Sequence, residues 1–219
     1  IGIALVAIAA IAIAVWAVRR GSGSESQQPF QTMRMSTKTS RGDLTEAALS
    51  RDGRYLAYLT GALGKGSVRV QQVATGADVE VVPAEEGLLE GLSFTPDGNY
   101  LFYLRRRRDA PNYRALMQVP SLGGDSRERA FDVDSRVSFA PDGKRVCFTR
   151  GVPQTASANL VVLELDAAKE RVLASIKSPG RFSSAPAWSP DGQRIATVEE
   201  ATSSGSIVSA VITFDVESG

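Results

Sequence analysis

Four consecutive arginines, Arg105, Arg106, Arg107 and Arg108, follow the β-prone run Tyr100–Leu104. A basic cluster of this kind suits a phosphate, a lipid headgroup or an acidic partner. No aromatic residue interleaves the arginines and Asp109 follows them, which is also the pattern of a solvated loop. Asp125, Asp132 and Asp134 could bear on calcium, but a calcium loop strings carboxylates at alternate positions around a glycine and closes with Glu. That spacing is missing, so solvated turn carboxylates are expected. The segment Gly61–Ser67 (GALGKGS) lacks the Gly-Lys-Ser/Thr order of a phosphate loop and lies between strand-like runs. Arg41-Gly42-Asp43 spells an adhesion tripeptide too short to carry weight. The single cysteine, Cys147, alternates with apolar neighbours as a packing residue would, and with no histidine in the chain nothing stands ready to activate it. The same absence excludes a Ser-His-Asp or Cys-His triad and every histidine-bearing zinc site. No catalytic residue, cofactor or metal site is therefore expected.

Four further aspartates recur with a period, and the period reveals what positions them. Asp52-Gly53, Asp97-Gly98, Asp142-Gly143 and Asp191-Gly192 are 45, 45 and 49 residues apart. A repeat of that length denotes a solenoid, an array or a propeller. Each pair is flanked by short β-prone runs, a hairpin signal. Pro96, Pro141 and Pro190 precede three of the aspartates and preset φ at the first corner, while glycine takes the left-handed position. Ser50, Thr95 and Ser189 can hydrogen-bond the turn backbone, which Ala140 cannot. Arg51 replaces the proline in the first copy, which predicts a looser turn there. Because these aspartates occur once per unit, a structural role is expected for all four.

Around each turn the apolar residues alternate. Leu49, Phe94, Phe139 and Trp188 stand before it, and Leu56, Leu101, Val146 and Ile195 after it. Tyr58, Tyr103, Phe148 and Thr197 share their face, so one apolar face per hairpin must be covered by a neighbouring unit. A second hairpin follows in the first three units, through Ala74-Thr75-Gly76, Leu122-Gly123-Gly124 and Asp166-Ala167-Ala168-Lys169. Two hairpins make a four-stranded blade, and no 3.6-residue periodicity appears after Val18. The chain is thus expected to be all-β, a β-propeller over 44–219 with blades at about 44–88, 89–133, 134–182 and 183–219. The last stops at its third strand, Ile207–Phe214. Four blades make an open arc, and a ring continuing past Gly219 is expected.

The N-terminal end reads differently. Ile1–Val18 hold no charged and no polar side chain, and eighteen helical residues cover about 27 Å, near the ~30 Å of a hydrocarbon core. One transmembrane helix over 1–20 is expected, with Trp16 at the interface and Arg19 and Arg20 as the charged stop. A cleavable signal segment would need a small-residue cleavage site, and Trp16-Ala17-Val18-Arg19 stands in its place. Residues 21–43 are expected to be a linker and lead-in strand, beginning with the flexible GSGSESQQ. A chain that starts at Ile1 inside an apolar run reads as part of a longer one. With 25 basic against 24 acidic residues and a formal charge of +1, it is not a strongly basic nucleic-acid binder, and no nucleic-acid partner is expected.

The Ser/Ala-Pro-Asp-Gly hairpins resemble the WD-like propeller repeat of the TolB family over 44–219. Ala47–Leu59, Val70–Pro83 (VQQVATGADVEVVP), Gly91–Arg105 (GLSFTPDGNYLFYLR), Pro111–Gly124 (PNYRALMQVPSLGG) and Val133–Val146 (VDSRVSFAPDGKRV) are similar to bacterial proteins, many acidobacterial. These join a cytoplasmic signalling domain, one membrane span and such a propeller. The resemblance implies an upstream serine/threonine kinase, or else a winged-helix DNA-binding domain. No kinase motif stands in these residues, so no kinase residue has a position here. It also implies a propeller outside the cytoplasm, in the periplasm, although Arg19 and Arg20 alone would favour a cytoplasmic C-terminal side. The function expected is that of a non-catalytic sensor or scaffold of a membrane-anchored signalling protein, binding a protein or small ligand on a propeller face. The rival readings are a TolB-like envelope interaction protein, the propeller of a tethered winged-helix regulator, and the propeller cap of a serine peptidase.

Overall fold

A computed structural model describes residues 36–39, 42–62, 65–106, 110, 112–203 and 205–217. The chain divides into two units, Ile1–Thr37 and Lys38–Gly219, and every described strand lies in the second. The expected transmembrane helix, with Trp16, Arg19 and Arg20, falls outside the described residues. Among the described residues no helix is long and apolar enough to cross a membrane.

The second unit is all-β and consists of four four-stranded antiparallel sheets. The first runs β1 (Leu44–Leu49), β2 (Tyr55–Ala62), β3 (Lys65–Gln72), β4 (Asp78–Glu86) in spatial order. The second runs β5 (Leu89–Phe94), β6 (Tyr100–Arg106), β7 (Arg114–Pro120), β8 (Arg127–Phe131). The third repeats the meander with β9 (Ser138–Phe139), β10 (Arg145–Val152), β11 (Ser157–Glu164) and β12 (Lys169–Lys177). In the fourth, β13 (Arg181–Phe182) and β14 (Ala187–Trp188) both pair with one side of β15 (Arg194–Ser203), and β16 (Ser206–Asp215) pairs with the other. Its first strand is thus in two pieces and begins at 181, where the repeat spacing places the boundary at 183.

The repeat is visible in the register. Leu49 lies opposite Leu56, Phe94 opposite Leu101, Phe139 opposite Val146 and Trp188 opposite Ile195. One cross-strand apolar pair therefore closes each turn at the same depth.

The expectation of one apolar face per hairpin needs correction, because the inner blades are apolar on both. Leu101 and Tyr103 of β6 pack against the first sheet, with Ala57, Leu59, Val68 and Val70. Phe102 and Leu104 of the same strand pack against the third, with Val146 and Phe148. Cys147 and Leu160 face Ile195 of the fourth. A strand buried on both sides reads as a continuous apolar run, which is why Tyr100–Leu104 shows no polar alternation. Each large side chain buried in these layers contributes roughly 1.5–3 kcal/mol. Phe102 and Phe139 meet edge to face at 5.0 Å, joining the second sheet to the third.

Polar ties recur between neighbouring blades. Glu46 accepts hydrogen bonds from the Gly91 and Leu92 amides at 2.7 and 2.9 Å. Ser93 Oγ donates to the Val137 carbonyl at 2.9 Å, and the Trp188 amide donates to Ser138 Oγ at 2.9 Å. Farther out, Arg129 donates to the Leu165 carbonyl and Arg171 to that of Val216, each following the third strand of the next sheet. Arg150 donates to the Phe131 and Asp132 carbonyls and holds Glu170 with two nitrogens, anchoring the link between the second and third blades.

Candidate functional site

The four Asp-Gly turns share one construction. The amides of Gly53, Gly98, Gly143 and Gly192 donate to the carbonyls of Ser50, Thr95, Ala140 and Ser189 at 2.8–3.0 Å. Each glycine has φ between +69° and +75°, the left-handed region that a β-carbon disfavours. The aspartate closes the turn from inside: Oδ1 accepts the amide two residues on, from Arg54, Asn99, Lys144 or Gln193, at 2.9–3.0 Å. In three copies it also accepts a hydroxyl, from Ser50, Thr95 or Ser189. The same hydroxyls accept the amides of Tyr55, Tyr100 and Arg194, so each ties both sides of its turn. The turn at Arg51 is not looser than the others, since its closing bond is 2.8 Å.

These bonds set the ionisation of the turn carboxylates. Asp52 is lowered to about 2, chiefly by the Arg54 amide and then by the Ser50 hydroxyl. The Thr95 hydroxyl lowers Asp97 and that of Ser189 lowers Asp191. At Asp142 burial works upward, yet the Lys144 amide and the Arg145 guanidinium outweigh it and the carboxyl is lowered. All four aspartates are engaged within their own turns, an arrangement that builds a scaffold.

The remaining sequence candidates are scattered. Arg105 and Arg106 end β6 at the edge away from the Asp-Gly turns, where the Arg106 amide donates to the Leu88 carbonyl. Arg107 and Arg108 lie outside the described residues. Asp134 accepts from Arg114 Nη1 and from the Gly151 amide, so it is a structural tie. Asp132 has a left-handed backbone, φ 59°, and burial and then Asp134 push its carboxyl upward. Among the described residues no three acidic, cysteine or histidine side chains gather as a metal site would require. Gly61 lies opposite Gly66 across the β2–β3 hairpin, with Lys65 opposite Ala62, and the Asp43 carbonyl accepts the Gly61 amide. Cys147 is fully buried between the third and fourth sheets, and burial pushes its thiol up to about 12.

What the structure does bring together is a groove that no single motif announced. The first strands of all four sheets, β1, β5, β9 and β14, converge on a cavity of about 600 Å³. Its walls mix apolar side chains, Ala47, Leu49, Phe94, Phe139, Trp188 and Pro186, with the hydroxyl residues Ser93, Thr95, Ser138 and Ser189. Pro96, Pro141 and Pro190 form the rim at the turn end, with Arg51 at the fourth repeat-equivalent place. Arg136 lies at the opposite rim, immediately before Val137. Among the described lining residues there is no carboxylate. A second cleft of about 830 Å³ opens between the second and third sheets on the turn side, and Arg51 borders both. That cleft mixes Arg127, Arg129 and Lys144 with Asp97, Asp125, Asp142 and Asp166.

Arg51 was visible in the sequence as the residue that breaks the proline rule, but its place on the groove was not. Arg136 carried a signal too. Extending the repeat alignment one residue upstream sets Glu46, Gly91, Arg136 and Ala185 in one column, which mixes an acid, a glycine, a base and an alanine.

No family model matches the chain, and no curated protein matches it in sequence. Solved structures do. TolB from Acinetobacter baumannii aligns with a TM-score of 0.66 and 22% identity over 84% of this chain and 44% of its own. An oligogalacturonate lyase in complex with manganese aligns at 0.63 and 12%, over 81% and 52%. The propeller domain of the Trilobed protease from Pyrococcus furiosus, which has an open velcro topology, aligns at 0.59 and 9%, over 79% and 54%. The chain thus spans about half the length of each. The fold is that of TolB-like β-propellers. It is shared by TolB, a lyase and a protease domain, so the fold by itself does not choose between binding and catalysis.

Proposed function

We propose that residues 44–219 are the non-catalytic binding region of a membrane-anchored signalling protein, with the propeller on the extracytoplasmic side. The observation that carries the binding part is the central groove, to which all four blades contribute an inner strand. A concave surface with apolar walls and a few polar groups is the usual form of a ligand site. The non-catalytic part rests on the lack of histidine in the chain and on the turn aspartates, whose oxygens are committed to their own turns. Membrane anchoring is supported by the apolar run Ile1–Val18 with Arg19 and Arg20 behind it. The signalling context, a serine/threonine kinase upstream, is supported only by the resemblance of the repeat region.

Two measurements test these parts separately. Reading the coding DNA upstream of Ile1 tests the signalling context: a His-Arg-Asp and Asp-Phe-Gly pair supports it, a winged helix moves the output to transcription, and a start codon next to Ile1 removes both. Protease protection of the full chain in sealed vesicles tests the topology, with cleavage in the propeller expected only from the extracytoplasmic side.

A further inference from the structure

We propose that the central groove accepts an acidic polypeptide segment in extended conformation, its carboxylates meeting Arg51 at the turn rim and Arg136 at the opposite rim. The inference rests on the reading of the groove as the binding site and adds the chemistry of its occupant.

Charge complementarity carries it. Arg51 and Arg136 are the charged groups that line the groove, and among its described lining residues there is no carboxylate to neutralise them. Both side chains are exposed, and neither has a hydrogen-bond or ion-pair partner among the described residues. Six other arginines, Arg54, Arg69, Arg114, Arg145, Arg150 and Arg181, are each paired with a carboxylate, whereas Arg51 and Arg136 share their free state with Arg127 and Arg194 but are the two that line this groove. Two cations without an ion-pair partner on one groove make its potential positive, most clearly at Arg136, since Arg51 also borders the neighbouring cleft with Asp97 and Asp142.

The repeat strengthens the point. Arg51 occupies the column that holds proline in the other three blades, and its turn closes as tightly without the ring. Arg136 shares a column with Glu46, whose carboxylate is spent on the amides of Gly91 and Leu92. Neither arginine is therefore required by the turn or by the interblade ties described.

The extended conformation follows from the walls. β1, β5, β9 and β14 are the edge strands of their sheets, and β5 with six residues is about 20 Å long. A strand-like segment laid along them places its side chains alternately on the apolar walls and toward the rims. The prolines and Trp188 supply rigid surface that loses little entropy on contact.

The test is fluorescence anisotropy of the full chain in detergent with a labelled peptide of alternating Glu and Ala, long enough to span the groove. The same peptide with Gln for Glu and a labelled oligothymidylate serve as comparisons. Binding that favours the Glu peptide over the Gln peptide and weakens with salt is expected. In R51A/R136A the dissociation constant should rise about tenfold, and R51E/R136E should prefer a Lys-Ala peptide. Equal binding of the Glu and Gln peptides, lost when the groove is blocked by A47W, would overturn the acidic preference and leave the groove as a binding site. Failure of all peptides to bind would overturn both. Tighter arginine-dependent binding of the oligonucleotide would replace the polypeptide with a nucleic acid and overturn the proposal.

Discussion

Glu46 accepts the Gly91 amide at 2.7 Å across the first blade boundary, and its second oxygen takes the Leu92 amide at 2.9 Å. One side chain thus serves two backbone donors of the next blade, at a point where later blades use a serine hydroxyl. Hydrogen bonds to a charged acceptor are worth about 1.5–3 kcal/mol, and a half-buried donor left alone costs more than a replaced one. Glu46→Ala should therefore destabilise the propeller by about 2–3 kcal/mol, while Glu46→Gln, which can satisfy only one amide, should lose about half of that. Urea denaturation of both variants checks this, and a loss below about 0.5 kcal/mol for the alanine variant would show the tie to be idle.

Gly91 itself predicts a second asymmetry. Its φ is +73°, and a β-carbon there would lie 3.0 Å from Leu104 Cγ and 3.5 Å from Arg136 Cα. Gly76 has nearly the same φ, +74°, but nothing within 4 Å of a built β-carbon. Both alanine variants bear the left-handed strain of about 1–2 kcal/mol, and only Gly91→Ala adds a steric conflict in a packed layer. G91A should fall below G76A in melting temperature by several degrees. Equal melting temperatures would mean that Leu104 yields at no cost.

The period of the Asp-Gly turns made the blades and their register legible, because a turn must be written with the few residues that tolerate its dihedrals. Leu49, Phe94, Phe139 and Trp188 then located the inner strands. Other features left less trace. That Phe102 and Tyr103 serve different neighbours cannot be read from an apolar run, since periodicity vanishes when both faces are buried. Glu46 and Arg136 look like ordinary surface charges until the blades are placed side by side. The role of Glu46 depends on a contact 45 residues away, with Gly91, and the place of Arg136 on the groove depends on the neighbouring blades; no local pattern encodes either.

Acid should unfold this protein partly through its turns. Asp52 is lowered to about 2 by its bonds to the Arg54 amide and the Ser50 hydroxyl, and Asp97, Asp142 and Asp191 are lowered as well. A carboxyl whose folded pKa lies below its unfolded value contributes stability that is present above the unfolded pKa and is lost as pH falls through the folded one. For Asp52 that window runs from about 4 down to about 2. Stability measured by urea between pH 5 and pH 2 should therefore fall for the wild type and fall less steeply for Asp52→Asn. Identical slopes would place the acid sensitivity elsewhere.

Cys147 offers a probe of how the third and fourth blades separate. It is fully buried between them, and burial raises its thiol to about 12, far above the usual value near 8.5. A group whose folded pKa is raised stabilises the fold below its unfolded pKa and loses that contribution as pH rises toward the folded one. Stability should thus decline above about pH 8.5, and Cys147→Ala should flatten that decline at the cost of a small void. At neutral pH the thiolate needed for reaction is both scarce and shielded, so labelling by a thiol reagent requires the blades to part. The labelling rate should then follow the opening equilibrium and rise with urea before the global transition if the fourth blade opens alone. Arg171→Ala, which removes the tie to the Val216 carbonyl, should accelerate labelling at low urea. Rapid labelling in buffer, unchanged by that substitution, would show that Cys147 is reached without separation of the two blades.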